Sequence, residues 1–369
     1  MTTIAFTVLM VGVWGLNLLN GTGLGTAYHT IELSQLAAAA LAAAFVLQRI
    51  RRENRLLVEQ RYFYTYLGMG AVFLLSSWWA GYGLRAWDYL WAYLVVYIFS
   101  NIPVRRKHLY LAGAAYAVLG AAILFIFNYM DALSGWNAND IAMIGLFSFL
   151  TFIIPYFGAR DKQSVFMLIT VGVVYCVLLW PTDSRSCIMA IAASLPLIFR
   201  ILPSRPVLRS RIGIFLTLMV PLAVAVVIGS LAGAPLVEEL NEWSVAETGK
   251  PAFNGREVYW AQGLELWSRQ PLFGGGYLSH FNWHNSAVEC LTSYGLVGFG
   301  FWIWSFWLPL TDARKYTGDI CVSGAMIAFL VIYVQQSVEL GFIGRNPNMM
   351  PYMILGILVG RVRYLKQRH

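Results

Sequence analysis

The chain has 369 residues, 59% hydrophobic and 12% charged, with a formal net charge of +8. A soluble domain carries about twice that charged fraction. The composition therefore excludes a water-soluble globular fold, and apolar runs recurring from end to end predict an all-α polytopic membrane protein. The four cysteines (Cys176, Cys187, Cys290 and Cys321) have no metal-ligand spacing and imply no disulfide framework. The excess positive charge is explained by membrane topology rather than by nucleic acid.

Hydropathy predicts about twelve spans. In order they are Ile4–Leu19, Ile31–Leu47, Tyr62–Trp79, Tyr89–Ile102, Leu109–Asn128 and Ile141–Phe157. Then come Val165–Trp180, Cys187–Phe199, Ile212–Leu231, Ser286–Leu310, Ile320–Leu340 and Met349–Val362. The first run lacks a basic leader and a small-residue cleavage site, so it reads as a retained span rather than a signal peptide. The whole chain, 1–369, is expected to form a single transmembrane domain.

Basic residues test this count. With both termini cytoplasmic, twenty of the 26 Lys and Arg fall in inner loops, in clusters such as Arg49 to Arg55, Arg105 to Lys107, Arg200 to Arg211 and Arg361 to Arg368. That asymmetry is what the positive-inside rule demands. Acidic residues segregate the other way, so an outer arginine that meets a phosphate must do so through local geometry. Aromatics cluster at span ends (Trp78, Trp79, Trp180, Trp243, Trp283), which reads as an interfacial belt. Trp283 and Tyr277, near the long loop, are candidate sugar-stacking platforms.

One outer loop is long, residues 232–285 between spans nine and ten. Long loops inside compact domains are commonly functional. Asn254-Gly255 predicts a turn, and Arg256 to Trp267 a helix lying on the outer surface, with Trp260 and Trp267 suited to the interface. Pro271 stops that helix. Gly274-Gly275-Gly276 then provides a close-approach backbone ahead of span ten.

Three outer features carry the chemistry. Asp183-Ser184-Arg185-Ser186 turns between spans seven and eight, Arg256 opens the loop helix, and His284 stands just before span ten. Arginine grips phosphate oxygens bidentately and keeps its charge when desolvated. Imidazole accepts a proton from a hydroxyl at neutral pH. Each residue also has a plainer reading: Arg185 as a snorkelling interface residue, Arg256 as a solvated helix residue, His284 as a hydrogen-bonded loop histidine. His280 is read as a structural or substrate contact. Glu289 in span ten, and Glu339 with Gln335 and Gln336 at the outer end of span eleven, are intramembrane polar groups that orient His284, bind sugar hydroxyls or pair with arginine. Gly295 and Gly298 are expected to permit close helix packing.

His284-Asn285, nine residues, Gly295, two residues and Gly298 resembles the signature of the bacterial O-antigen ligase family. The Asp-Ser-Arg-Ser turn, the long loop and the run GREVYWAQGLELWSRQPLFGGGYLSHF are similar too, and the likeness is strongest over about 181–300. The resemblance implies a membrane glycosyltransferase of the inner membrane with its active site facing the periplasm. Its donor would be a glycan on undecaprenyl diphosphate and its acceptor a hydroxyl of the lipid A–core oligosaccharide. Arg185 and Arg256 would hold the diphosphate, Asn285, His280 and Glu289 would contact substrate, and His284 would be the general base of an inverting, metal-independent displacement without cofactor. Repeat-unit polymerases of the same superfamily, whose acceptor is another lipid-linked glycan, share the pattern and form the alternative. A secondary transporter is the reading from another class. It predicts related halves and midplane charges, whereas here the polar candidates crowd the outer end.

Overall fold

The computed structural model describes residues 2–21, 60–82, 87–130, 136–202, 204–276, 282–343 and 348–367. The predicted span Ile31–Leu47, the basic run Arg49 to Arg55, Tyr277 and His280 lie outside the described residues. The described chain is helical, with no strand among these residues. Its helices are α1 (Thr3–Gly21), α2 (Gln60–Trp79), α3 (Trp87–Ser100), α4 (Arg106–Tyr129), α5 (Ala138–Ile153), α6 (Lys162–Leu179), α7 (Arg185–Ile198) and α8 (Ser204–Arg209). They continue as α9 (Arg211–Ser230), α10 (Pro235–Thr248), α11 (Arg256–Arg269), α12 (Ser286–Ala313), α13 (Ile320–Gln335) and α14 (Met349–Lys366).

Polar side chains set where these helices start. Asn137, Asp161, Ser210, Asp319 and Asn348 each accept from a backbone N–H in the first turn of α5, α6, α9, α13 and α14. Apolar composition does the rest. Arg106–Tyr129, Ala138–Tyr156, Lys162–Thr182 and Arg211–Ser230 are long and apolar enough to cross a membrane. Residues Phe166, Ile169, Val173 and Val177 stand exposed at helical spacing along α6. An unshielded apolar stripe of that length suits lipid and not water. The centre is formed by α5, α13 and α14, whose residues are buried almost all round.

The helices share two ends, and their charges sort between them. At one end Arg361 grips Asp319 with two nitrogens, at 3.0 and 2.6 Å, and donates to the Val104 carbonyl. Arg61 pairs with Asp312 there, and Arg209 donates to Thr317. At the other end Arg185 meets Thr248, Lys250 pairs with Asp183, and Arg256 pairs with Glu339.

Three expectations are corrected. Span ten is not one continuous helix, because α12 breaks at Gly295 (φ 62°, ψ −167°). The break is filled by backbone from residues 271–276. Leu296 and Val297 donate to the Pro271 and Leu272 carbonyls at 2.8 and 3.1 Å, while the Thr292 and Ser293 carbonyls accept from Gly275 and Gly276 at 2.8 and 2.9 Å. An unbroken helix would pair Leu296 with Thr292 and Val297 with Ser293. The loop therefore substitutes for two helical rungs, and the four backbone groups of those rungs stay paired where water is scarce. The Ser76 hydroxyl seals the junction, 2.8 Å from the Phe273 carbonyl and 3.1 Å from that of Ser293. Gly274 and Gly295 are both glycine because the two backbones touch there; a Cβ on Gly295 would strike the Leu272 carbonyl.

The second correction concerns the long loop. It holds two helices, α10 and α11, and α11 packs into the protein rather than lying free on a surface. Trp260 is 1% exposed, packed with Ala225, Trp283 and Val288, and its indole donates to the Trp283 carbonyl at 2.8 Å. Trp283 is thus core, not a sugar platform, while Trp78, Trp79, Trp180 and Trp243 are exposed as a belt requires. Span eleven also ends earlier than expected, at Gln335.

Gly295→Ala should destabilise the protein by about 3 kcal/mol, since its backbone region is open only to glycine and the added carbon meets backbone. Gly300→Ala, a site with no neighbouring heavy atom within 4 Å, should be near neutral. Thermal unfolding of the two variants in detergent checks this; equal midpoints would refute the docked-backbone account.

Candidate active site

Three elements bring the candidate residues together at one end of the bundle. Asp183 adopts a left-handed conformation (φ 57°) after the short helix Trp180–Thr182, which turns the chain so that Arg185 opens α7. Asn254 and Gly255, at φ 53° and 79°, make the predicted turn that launches α11 with Arg256 at its first position. His284 carries φ 48°, and its N–H donates to the Asn282 side chain at 2.8 Å. A non-glycine residue held left-handed is strained, and such strain collects at functional positions.

Asn285 fixes the start of α12. It is fully buried, its carbonyl oxygen accepts from the Ala287 and Val288 N–H groups at 2.9 and 3.1 Å, and its amide donates to the Pro221 and Ser337 carbonyls at 2.9 Å each. The side chain is fully engaged and has nothing left for substrate. It caps α12 and ties it to α9 and to the turn after α13. Ser286 adds its N–H to the Gln336 carbonyl and its hydroxyl to the Gln336 side chain, at 3.1 and 3.2 Å. The turn so held carries Glu339.

Glu339 joins the arginine to the histidine. One carboxylate oxygen accepts from Arg256 Nη2 at 3.0 Å, and the other lies 3.6 Å from His284 Nδ1. Glu339 is 5% exposed, so neither oxygen is freely hydrated. A carboxylate behind an imidazole is the arrangement that selects its tautomer and stabilises its cation.

In front of Glu339 opens a cavity of about 300 Å³, bordered by Arg185, Lys250, Arg256, Ser184, Ser186 and Asn139 among others. The first turns of α5 and α7 both border it, so two helix N-termini add partial positive charge. Arg185 and Arg256, 71 positions apart in sequence, thus share one wall system with a third cation, Lys250, held by Asp183.

Glu289 is not among the cavity's bordering residues. It is buried within the first turns of α12, and one carboxylate oxygen has no hydrogen-bond partner among the described residues. Glu339 takes the place beside the histidine that the sequence left open between the two glutamates. Lys250 in the long loop and Asn139 just before span six belong to the cavity without having been singled out. Against protein-family models and curated sequences the chain finds no match.

Asn285→Ala should lower stability by about 3 kcal/mol, the sum of a lost cap and two stranded buried carbonyls. Asn285→Asp keeps the cap but turns a buried carboxylate on the Pro221 and Ser337 carbonyls, so it should cost at least as much as alanine. Thermal melts of both variants test the ranking; a neutral alanine would show that the carboxamide is not the clamp.

Proposed function

We propose that this protein is a membrane glycosyltransferase of the O-antigen ligase type, working on a polyprenyl-diphosphate-linked glycan at the periplasmic face of the bacterial inner membrane. The observation that carries the reading is the meeting of Arg185 and Arg256 on one cavity beside a carboxylate-backed imidazole. The resemblance of the His284 segment to that family supports it independently. In this reading the helices make twelve crossings, the basic end faces the cytoplasm with both termini, and residues 232–285 form the periplasmic loop.

The chemistry follows from the residue types. Arg185, Arg256 and the N-termini of α5 and α7 hold the diphosphate and stabilise the charge that grows on it as the anomeric C–O bond breaks. His284 takes the proton from the acceptor hydroxyl as its oxygen bonds the anomeric carbon from the opposite face. The glycan passes to the acceptor with inversion, polyprenyl diphosphate leaves, and the imidazolium returns its proton to solvent. Arginine charge removes the requirement for a metal. The acceptor is the lipid A–core oligosaccharide for a ligase and a second lipid-linked glycan for a polymerase.

His284→Ala should lower transfer by about 10²- to 10⁴-fold while the protein still binds its lipid donor. A split of that kind separates enzyme from transporter, and wild-type turnover would dismiss the base. Arg185→Lys should lose about tenfold despite conserving charge, because the fork geometry is gone. Chelators should leave transfer intact. The surface lipopolysaccharide of a strain lacking the gene tests the whole assignment on a gel. Bare lipid A–core with glycan accumulating on the carrier means ligase, core with a single repeat means polymerase, and an unchanged ladder rejects both.

A further inference from the structure

Glu339 makes a contact that a diphosphate-binding arginine cannot keep. Its first oxygen occupies Arg256 at 3.0 Å, and the same two residues border the cavity into which the anion would enter. Its second oxygen stops 3.6 Å from His284 Nδ1, beyond hydrogen-bond range. That nitrogen is itself buried, with no hydrogen-bond partner among the described residues. The carboxylate is therefore committed to the arginine, while the imidazole it should orient is left waiting.

We infer that Glu339 is a positioning residue that exchanges partners when the donor binds: it guards Arg256 in the empty site, and the diphosphate displaces it onto His284. This rests on the assignment of Arg256 to the diphosphate and His284 to the base. The exchange is a matter of charge. A diphosphate offers Arg256 several oxygens in the geometry a guanidinium prefers, and it repels the neighbouring carboxylate. Glu339 is too buried to turn into water. Of the other cations bordering the cavity, Lys250 is paired with Asp183 and Arg185 donates to Thr248. His284 Nδ1 is the hydrogen-bond donor within reach. Closing the gap fixes the proton on Nδ1, leaves Nε2 as the acceptor, and stabilises the imidazolium formed when the acceptor hydroxyl is deprotonated. The base is thus armed in the donor-loaded protein and idle without it.

The test uses the full-length protein in nanodiscs, with inorganic pyrophosphate as the binding probe and polyprenyl-diphosphate-linked glycan as the transfer substrate. Glu339→Gln removes the competing charge and keeps the shape. Pyrophosphate affinity should rise about tenfold while transfer falls about a hundredfold. Opposite movements are the signature, since a merely structural glutamate would weaken both. Glu339→Asp, which keeps the charge, should lie between the variant and wild type in both assays; it carries the test if the glutamine variant does not fold. In ¹⁵N-histidine spectra, pyrophosphate should shift the signal that His284→Ala deletes, in the wild type and not in Glu339→Gln. Unchanged or weaker pyrophosphate binding in Glu339→Gln, or an unmoved His284 signal in the wild type, would overturn the exchange. Binding needs no turnover. A wild type that binds pyrophosphate through Arg256 yet transfers no glycan would reject the glycosyltransferase and leave the exchange to be judged by affinity and spectra.

Discussion

The geometry of the site depends on one buried carboxamide. Asn285 makes four hydrogen bonds, to the first turn of α12, to the Pro221 carbonyl in α9 and to the Ser337 carbonyl after α13. Those three attachments fix the relative position of His284, one residue before it, and Glu339, two residues beyond Ser337. Neither of these two side chains sits in a helix. Each sits at the edge of one, where backbone would be free to move were it not clamped. An amide serves here better than a carboxylate or a lysine, because it accepts at one end and donates at the other without bringing a charge into a buried place.

The same logic explains why α12 is broken. A straight helix from Ser286 to Ala313 would carry its first turns wherever its axis pointed. Breaking it at Gly295 lets the short half be aimed separately, and the loop at 271–276 supplies the hydrogen bonds the break removes. Phe73 stacks on Tyr294 with ring centroids 3.9 Å apart and planes at 10°, so α2 braces the end of that half just before the kink. Discontinuous helices with substituted rungs are how membrane proteins place polar backbone and ligand sites without exposing either to lipid.

Much of this was legible in the sequence, for reasons that can be stated. Apolar runs of span length, closed by caps such as Asp161 and Asn348, place helices within a few residues. The Asn254-Gly255 turn and the start at Arg256 read directly, since left-handed backbone selects those residue types. Gly295 and Gly274 were visible as close-approach glycines, but the contact between them was not: it is long-range, and a glycine announces only that something comes near, not what. The sequence left Glu289 and Glu339 as equal candidates to orient His284. Proximity along a helix points a side chain one turn on and to its own face, whereas Glu339 reaches the histidine across an interface that only packing creates. Trp260 and Trp283 misread as interfacial for the same reason. An indole at a span end suits a bilayer surface and a core equally, and the neighbours Ala225 and Val288 decide.

Charge makes the last distinction between chain and site. The end of the bundle that carries Arg185 and Arg256 is the acidic one by composition, and an anion approaching from bulk solvent gains nothing from that average. Within the cavity the balance differs: three cations face two carboxylates, and the N-termini of α5 and α7 add to the positive side. At a separation of a few ångströms these local terms dominate, because more distant charges are screened within about 10 Å. Both carboxylates are engaged, Asp183 by Lys250 and Glu339 by Arg256. The site thus carries its own internal counter-ions, which balance two of its three cations. In the proposed reading, a ligand must carry enough charge to replace those carboxylates, which a diphosphate does better than a singly charged phosphodiester.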